Sequence, residues 1–145
     1  SSKHPYYKKL MIAGPDPYTF YSSIPIHLLR FTQTALTYAE AKARAGAPDD
    51  LAYECLNTIR RRAGLQEYHG LSASEFADAC VQERAWELCG ESVRWFDMTR
   101  LDMVAEVAAK RDPEDPAPLH AITQADYFLP IPASEVLLNP NLGAK

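Results

Sequence analysis

Between Ile26 and Gly64 the apolar residues recur at helical spacing in two runs. Leu28, Phe31, Ala35, Leu36, Ala39 and Ala43 fall every few positions, and Gly46 with Pro48 marks a stop. The spacing predicts a helix from Ile26 to Ala45. Ala52, Leu56, Ile59 and Ala63 repeat the pattern after Asp49 or Asp50, either of which can cap a helix start, and Gly64 closes it. A tight Gly-Ala-Pro turn joins the two as an antiparallel hairpin, with small alanines allowing close approach. A third run starts at a capping box, Ser72 with Glu75, and is expected to bury Phe76, Ala79, Cys80 and then Trp86 or Leu88, with Trp95 also in the core. Gly90 costs this helix roughly 1 kcal/mol, so a bend is expected near Gly90 and Ser92 before the pattern resumes through Leu101, Val104 and Val107.

The flanks lack such periodicity. Pro5, Pro15, Pro17 and Pro25 remove amide donors and bias their neighbours to extended geometry, which makes residues 1–25 an irregular strap. Asp112 to Pro118 carries three prolines and reads as an exposed loop. Tyr127 to Ile131 reads as a short extended segment. Prolines at 130, 132 and 140 keep the following tail irregular, with Val136, Leu137 and Leu138 expected to dock on the helices and Asn139 and Asn141 to form side-chain-supported turns. The fold class is therefore mainly α: a tetratricopeptide-like hairpin plus a long third helix, an irregular N-terminal strap and a C-terminal tail, in one domain over residues 1–145.

Polar positions sharpen the picture in that third helix. Glu83, Arg84, Glu87, Glu91, Arg94, Asp97 and Arg100 are spaced mostly by three or four, which lines up opposite charges on one stripe beside Trp86, Leu88, Trp95, Phe96 and Met98. An unpaired ion near such apolar surface is costly, so the seven are read as a structural ion-pair network.

Composition mainly excludes. A net charge of −4 and the lack of a basic run beyond Arg60-Arg61-Arg62 argue against nucleic acid. No apolar run reaches the roughly 20 residues of a membrane span. Cys55, Cys80 and Cys89 form no C-x-x-C pair and sit among helical apolar neighbours, as small buried hydrophobes would. No metal or cofactor is implied.

The stretch Glu83 to Arg100, ERAWELCGESVRWFDMTR, resembles the signature of the SusD/RagB family, glycan-binding outer-membrane lipoproteins of Bacteroidetes-type bacteria. Arg30 to Ala41, RFTQTALTYAEA, resembles the family's R-L-A-E-x-x-L-x-x-A-E-A helix, with Gln33 in place of Glu. Tyr127 to Leu142, YFLPIPASEVLLNPNL, resembles its closing segment. Ser92 stands where the family usually has Gly, and Gly90 where it has a large apolar residue. The resemblance implies the C-terminal part of a surface-exposed outer-membrane lipoprotein, with its lipid anchor outside this chain. It further implies that the protein captures an oligosaccharide or other nutrient without catalysis and passes it to a TonB-dependent transporter.

The residues themselves offer little catalytic chemistry. No His lies three residues after a Glu, as di-iron bundles require, and G-x-S-x-G, H-E-x-x-H and glycine-rich phosphate loops are missing. Tyr18, Phe20 and Tyr21 are the candidate ligand-binding residues, because flat rings stack on the apolar face of a sugar, although aromatics in a proline-rich strap also commonly just cover a core. Two alternatives stay open: a tetratricopeptide-like protein-interaction module and, with less support, a glycoside hydrolase, whose paired carboxylates can come from anywhere in the chain.

Overall fold

The computed structural model describes residues 27–142. They form six α-helices and two short 3-10 helices, with no strand among the described residues. The chain divides into two compact units, the first ending at Arg94 and the second beginning at Trp95.

The first unit is built on α1 (Phe31–Arg44), α2 (Asp50–Arg62) and α3 (Ala73–Glu87). α1 packs against both α2 and α3. Its buried stripe is Ala35, Leu36, Ala39, Glu40 and Ala43, a row of small residues that brings the neighbouring axes close. The core adds Ala52, Leu56 and Ile59 of α2 and Phe76, Ala77 and Cys80 of α3. Phe76 is fully buried, with its ring edge against Tyr53 at 4.6 Å between centroids. Burial of the Cys80 thiol, with Glu40 nearby, pushes its pKa up to about 12, so it packs as a neutral apolar group.

Local chemistry sets the helix ends. Asp49 caps α2 by accepting from the Ala52 amide at 2.8 Å. Gly64 ends α2 with φ +73°, where Leu65 N–H reaches the Arg60 carbonyl and Gly64 N–H the Arg61 carbonyl. This paired closure needs a left-handed residue, which glycine adopts without a Cβ penalty. Ser72 and Glu75 form the reciprocal capping box of α3. Side chains of α2 then hold the 66–71 connection. Asn57 bonds both the amide and the carbonyl of Tyr68, Tyr53 Oη bonds both those of Leu71, and Arg60 Nε donates to the Gln66 carbonyl.

Asp49 also yields a pH expectation. The Ala52 amide, then Lys42 at 3.0 Å, hold its carboxyl below the ordinary carboxylate range. A carboxylate whose folded pKa is depressed stabilises the fold above its unfolded pKa of about 4 and loses that contribution as pH falls through the folded value. Asp49→Asn is therefore expected to lower the Tm near neutrality and flatten its acid-side decline in thermal melts from pH 7 to pH 2.

Several sequence expectations need correction. α1 begins at Phe31, and Leu28 and Phe31 are both 86% exposed. Of Trp86 or Leu88 it is Leu88 that is buried, at 2% exposed, while Trp86 is 56% exposed: the inner stripe of α3 is taken by Phe76, Cys80, Glu83 and Arg84, and Trp86 lies well around the helix from Cys80. Trp95 is also exposed. The third helix stops at Glu87, because Gly90 (φ +79°) and Ser92 (φ +62°) turn the backbone left-handed where the bend was expected.

The second unit contains most of α4 (Arg94–Arg100), then α5 (Val104–Ala109) and α6 (Ala133–Leu138). Of the segment Tyr127 to Ile131, expected to be extended, Tyr127 instead ends a 3-10 turn over residues 124–127 capped by Thr123 and Asp126, while Phe128 after it is extended. The tail is likewise more helical than its prolines suggested, since Pro132 takes the N-cap of α6, where its missing amide costs no hydrogen bond. Leu137 and Leu138 are exposed and Val136 half-buried. Three consecutive residues on so short a helix point about 100° apart, so no single face can bury all three. Asn139 Oδ1 does accept from the Asn141 amide, the side-chain-supported turn expected around Pro140.

Candidate functional site

The charges of the stretch Glu83 to Arg100 find partners largely outside it. Glu83, 3% exposed at its side chain, pairs with Arg60 Nη1 of α2 at 2.7 Å. Arg60 also lies over the Tyr68 ring, 3.9 Å from its centroid. Arg84 pairs with Glu40 of α1, both nearly fully buried, and Arg44 Nε approaches the other Glu40 oxygen at 2.7 Å. Glu87 meets Arg30 Nη2 at 2.7 Å and Arg62 Nη2 at 2.5 Å, and Arg30 Nε lies 3.0 Å from Glu91. That last approach is an ion pair with poor hydrogen-bond direction, since Arg30 Nε is buried without a hydrogen bond. In the second unit Asp97 pairs with Arg100 at 2.6 Å. Arg94 is half-buried, with its Nη1 lacking a hydrogen-bond partner.

Two of the three sequence motifs thus meet in space. Arg30 and Glu40, from RFTQTALTYAEA, hold Glu87, Glu91 and Arg84 from the signature. With α1 and α3 contributing both signs and α2 its arginines Arg60 and Arg62, the ion pairs tie the three helices together. Periodicity missed Arg30, Glu40, Asn57, Arg60 and Arg62, whose partners lie far along the chain. Glu40 had one local sign: it occupies an inward position, where a carboxylate needs a cation.

Two concavities accompany this frame. One, of about 290 Å3, runs along the faces of α1 and α2, with Phe31, Ala35, Leu51, Cys55 and Ile59 as its apolar lining and Glu54 and Arg62 at its polar margin. Burial, then Glu54, raises the Cys55 thiol pKa. The other, of about 730 Å3 within the second unit, lies between α5 and the 113–122 loop, lined by Ala105, Ala108, Pro118 and Ile122 with Arg111 and His120. Tyr18, Phe20 and Tyr21 lie outside the described residues. Among the described residues no helix is long and apolar enough to cross a membrane, and no group of three His, Cys, Asp or Glu could hold a metal ion.

Comparison with known proteins agrees with the motifs. SusD-like protein P2 of Formosa agariphila is 32% identical over 122 residues, 79% of this chain and 24% of that protein. SusD-like protein P25 of the same organism is 30% identical over 119 residues, 79% of this chain and 22% of that one. A crystallised SusD superfamily protein from Parabacteroides distasonis, 31% identical, superposes with a TM-score of 0.67 over 83% of this chain and 26% of its own. The chain spans about a quarter of the length of these relatives. A profile of the SusD family matches residues 2–144, and the chain belongs to that family.

Proposed function

We propose that this chain is the C-terminal helical part of a non-catalytic outer-membrane lipoprotein that captures an oligosaccharide or another nutrient for a TonB-dependent transporter. The observation that carries this reading is the family match over residues 2–144. In it the charged signature is scaffold: Glu83, Arg84 and Glu87 are engaged by cations and carboxylates of α1 and α2. Tyr18, Phe20 and Tyr21 are the candidate sugar-stacking residues of this chain, and the main ligand surface belongs to the rest of the protein.

Calorimetry against a panel of oligosaccharides tests this, with the full-length gene product and this chain run in parallel and reducing ends assayed afterwards. Binding by the full-length product without cleavage, and weak or no binding by the chain, is expected. Release of new reducing ends would make the protein a glycoside hydrolase. Absence of sugar binding together with capture of a transporter peptide would make it an interaction module.

A further inference from the structure

The concavity between α5 and the 113–122 loop, about 730 Å3, falls in the size range of small-ligand sites. Ala105, Ala108 and Ala109 line its helix side, and their short side chains leave the room; Pro113, Pro118 and Ile122 line the loop side. Both walls are tied down. Tyr127 Oη accepts from the Ala105 amide at 3.4 Å and Gln124 Nε2 donates to Asp102 Oδ1 at 3.1 Å, which fastens the segment after the loop to the start of α5. Within the loop, the Asp112 carboxylate accepts from the Glu114 amide at 2.8 Å.

The ionisable side chains of the lining are Arg111 and His120. Arg111 Nη1 donates to the Asp112 and Asp115 carbonyls at 3.1 and 3.2 Å, so the backbone holds the guanidinium in place. Among the described residues its Nε and Nη2 make no hydrogen bond or ion pair. That is the edge a carboxylate takes with two parallel bonds. The nearby carboxylates are outside the lining and engaged elsewhere: Glu106 with Lys110, Asp112 with the Glu114 amide, and Asp126 with Thr123 and, at 3.6 Å, His120. Glu114 and Asp115 are exposed and also lie outside it.

We propose that this concavity is an acidic-sugar subsite, in which Arg111 binds the carboxylate of a uronate residue. The alanine and proline carbons meet the C–H face of the pyranose, and His120 is the polar contact for a hydroxyl. A single fixed cation among acidic neighbours balances one negative charge, which fits a carboxylate better than a phosphate dianion. The planar fork of the guanidinium matches a planar carboxylate. This inference rests on the sugar-binding reading and names a sugar class for one site on this chain.

Calorimetry on the full-length gene product tests it, with trimers of galacturonate, guluronate and mannuronate, each beside its neutral methyl ester. At least one acid trimer is expected to bind about tenfold or more tightly than its ester, the weight of a charge-assisted pair. Arg111→Gln is expected to abolish that difference while leaving the ester affinity within about twofold. Ala109→Phe, at an exposed position that lines the concavity, fills it without removing the Arg111 contacts, and is expected to weaken the acid trimer as strongly with an unchanged Tm. Arg61→Gln, an exposed arginine of the first unit, is expected to change nothing. Equal affinity for acid and ester overturns the proposal, as does an unchanged Kd in Arg111→Gln or Ala109→Phe, or tighter binding of a sulfated trimer than of any uronate. If Arg111→Gln lowers the Tm, Ala109→Phe decides. Binding of neutral oligosaccharides but of no acid trimer overturns this subsite and leaves the sugar-binding reading standing; binding of no sugar at all overturns both.

Discussion

Arg60→Ala is expected to destabilise the first unit by about 3–5 kcal/mol, the usual cost of leaving a buried ion without its partner. Glu83 is 3% exposed and its carboxylate lies 2.7 Å from Arg60 Nη1. The same truncation removes the bond to the Gln66 carbonyl and the cation over Tyr68, which loosens the 66–71 connection as well. Replacing both partners, Arg60→Met with Glu83→Leu, is expected to cost much less and can be neutral, because no charge is stranded. Urea denaturation of the single and double variants separates the two cases. A double variant as unstable as Arg60→Ala would mean that the loop contacts, rather than the charge pair, set the loss.

Phe76→Ala is expected to cost a similar amount, about 3–5 kcal/mol. Phe76 is fully buried where α3 meets the α1–α2 hairpin, beside Leu36, Leu56 and the Tyr53 ring. The surrounding alanines, Ala39, Ala43, Ala52 and Ala77, are already small and cannot fill the space a missing ring leaves. Phe76→Leu, which keeps most of the volume, is expected to lose less than half as much. Equal losses in the two variants would show that aromatic contact with Tyr53, not volume, governs the site.

The features legible in the sequence are those whose cause is local. Asp49, the Ser72–Glu75 box, Gly64 and the bend at Gly90 act through backbone groups within a few residues, so α2 and the start of α3 could be placed to within a turn, whereas α1, expected from Ile26, begins five residues later at Phe31. Side chains whose partners are remote could not be read this way. The seven charges of the signature looked like a self-contained stripe, yet the cations and carboxylates meeting Glu83, Arg84 and Glu87 come from Arg60, Glu40, Arg30 and Arg62. Trp86 misled because hydrophobicity marks a residue as fit for burial without saying which face of α3 meets α1. In the tail, proline was taken as a breaker, whereas Pro132 begins α6.

We propose that the charged signature holds helices together and that ligand recognition belongs to other surfaces. The most direct measurement is the calorimetric affinity of the full-length gene product for an oligosaccharide it binds, before and after Arg60→Met with Glu83→Leu. A Kd within about twofold of the unmodified protein, less than about 0.5 kcal/mol, is predicted for a purely structural pair. Loss of binding with an unchanged Tm would contradict the account and place recognition in the signature itself.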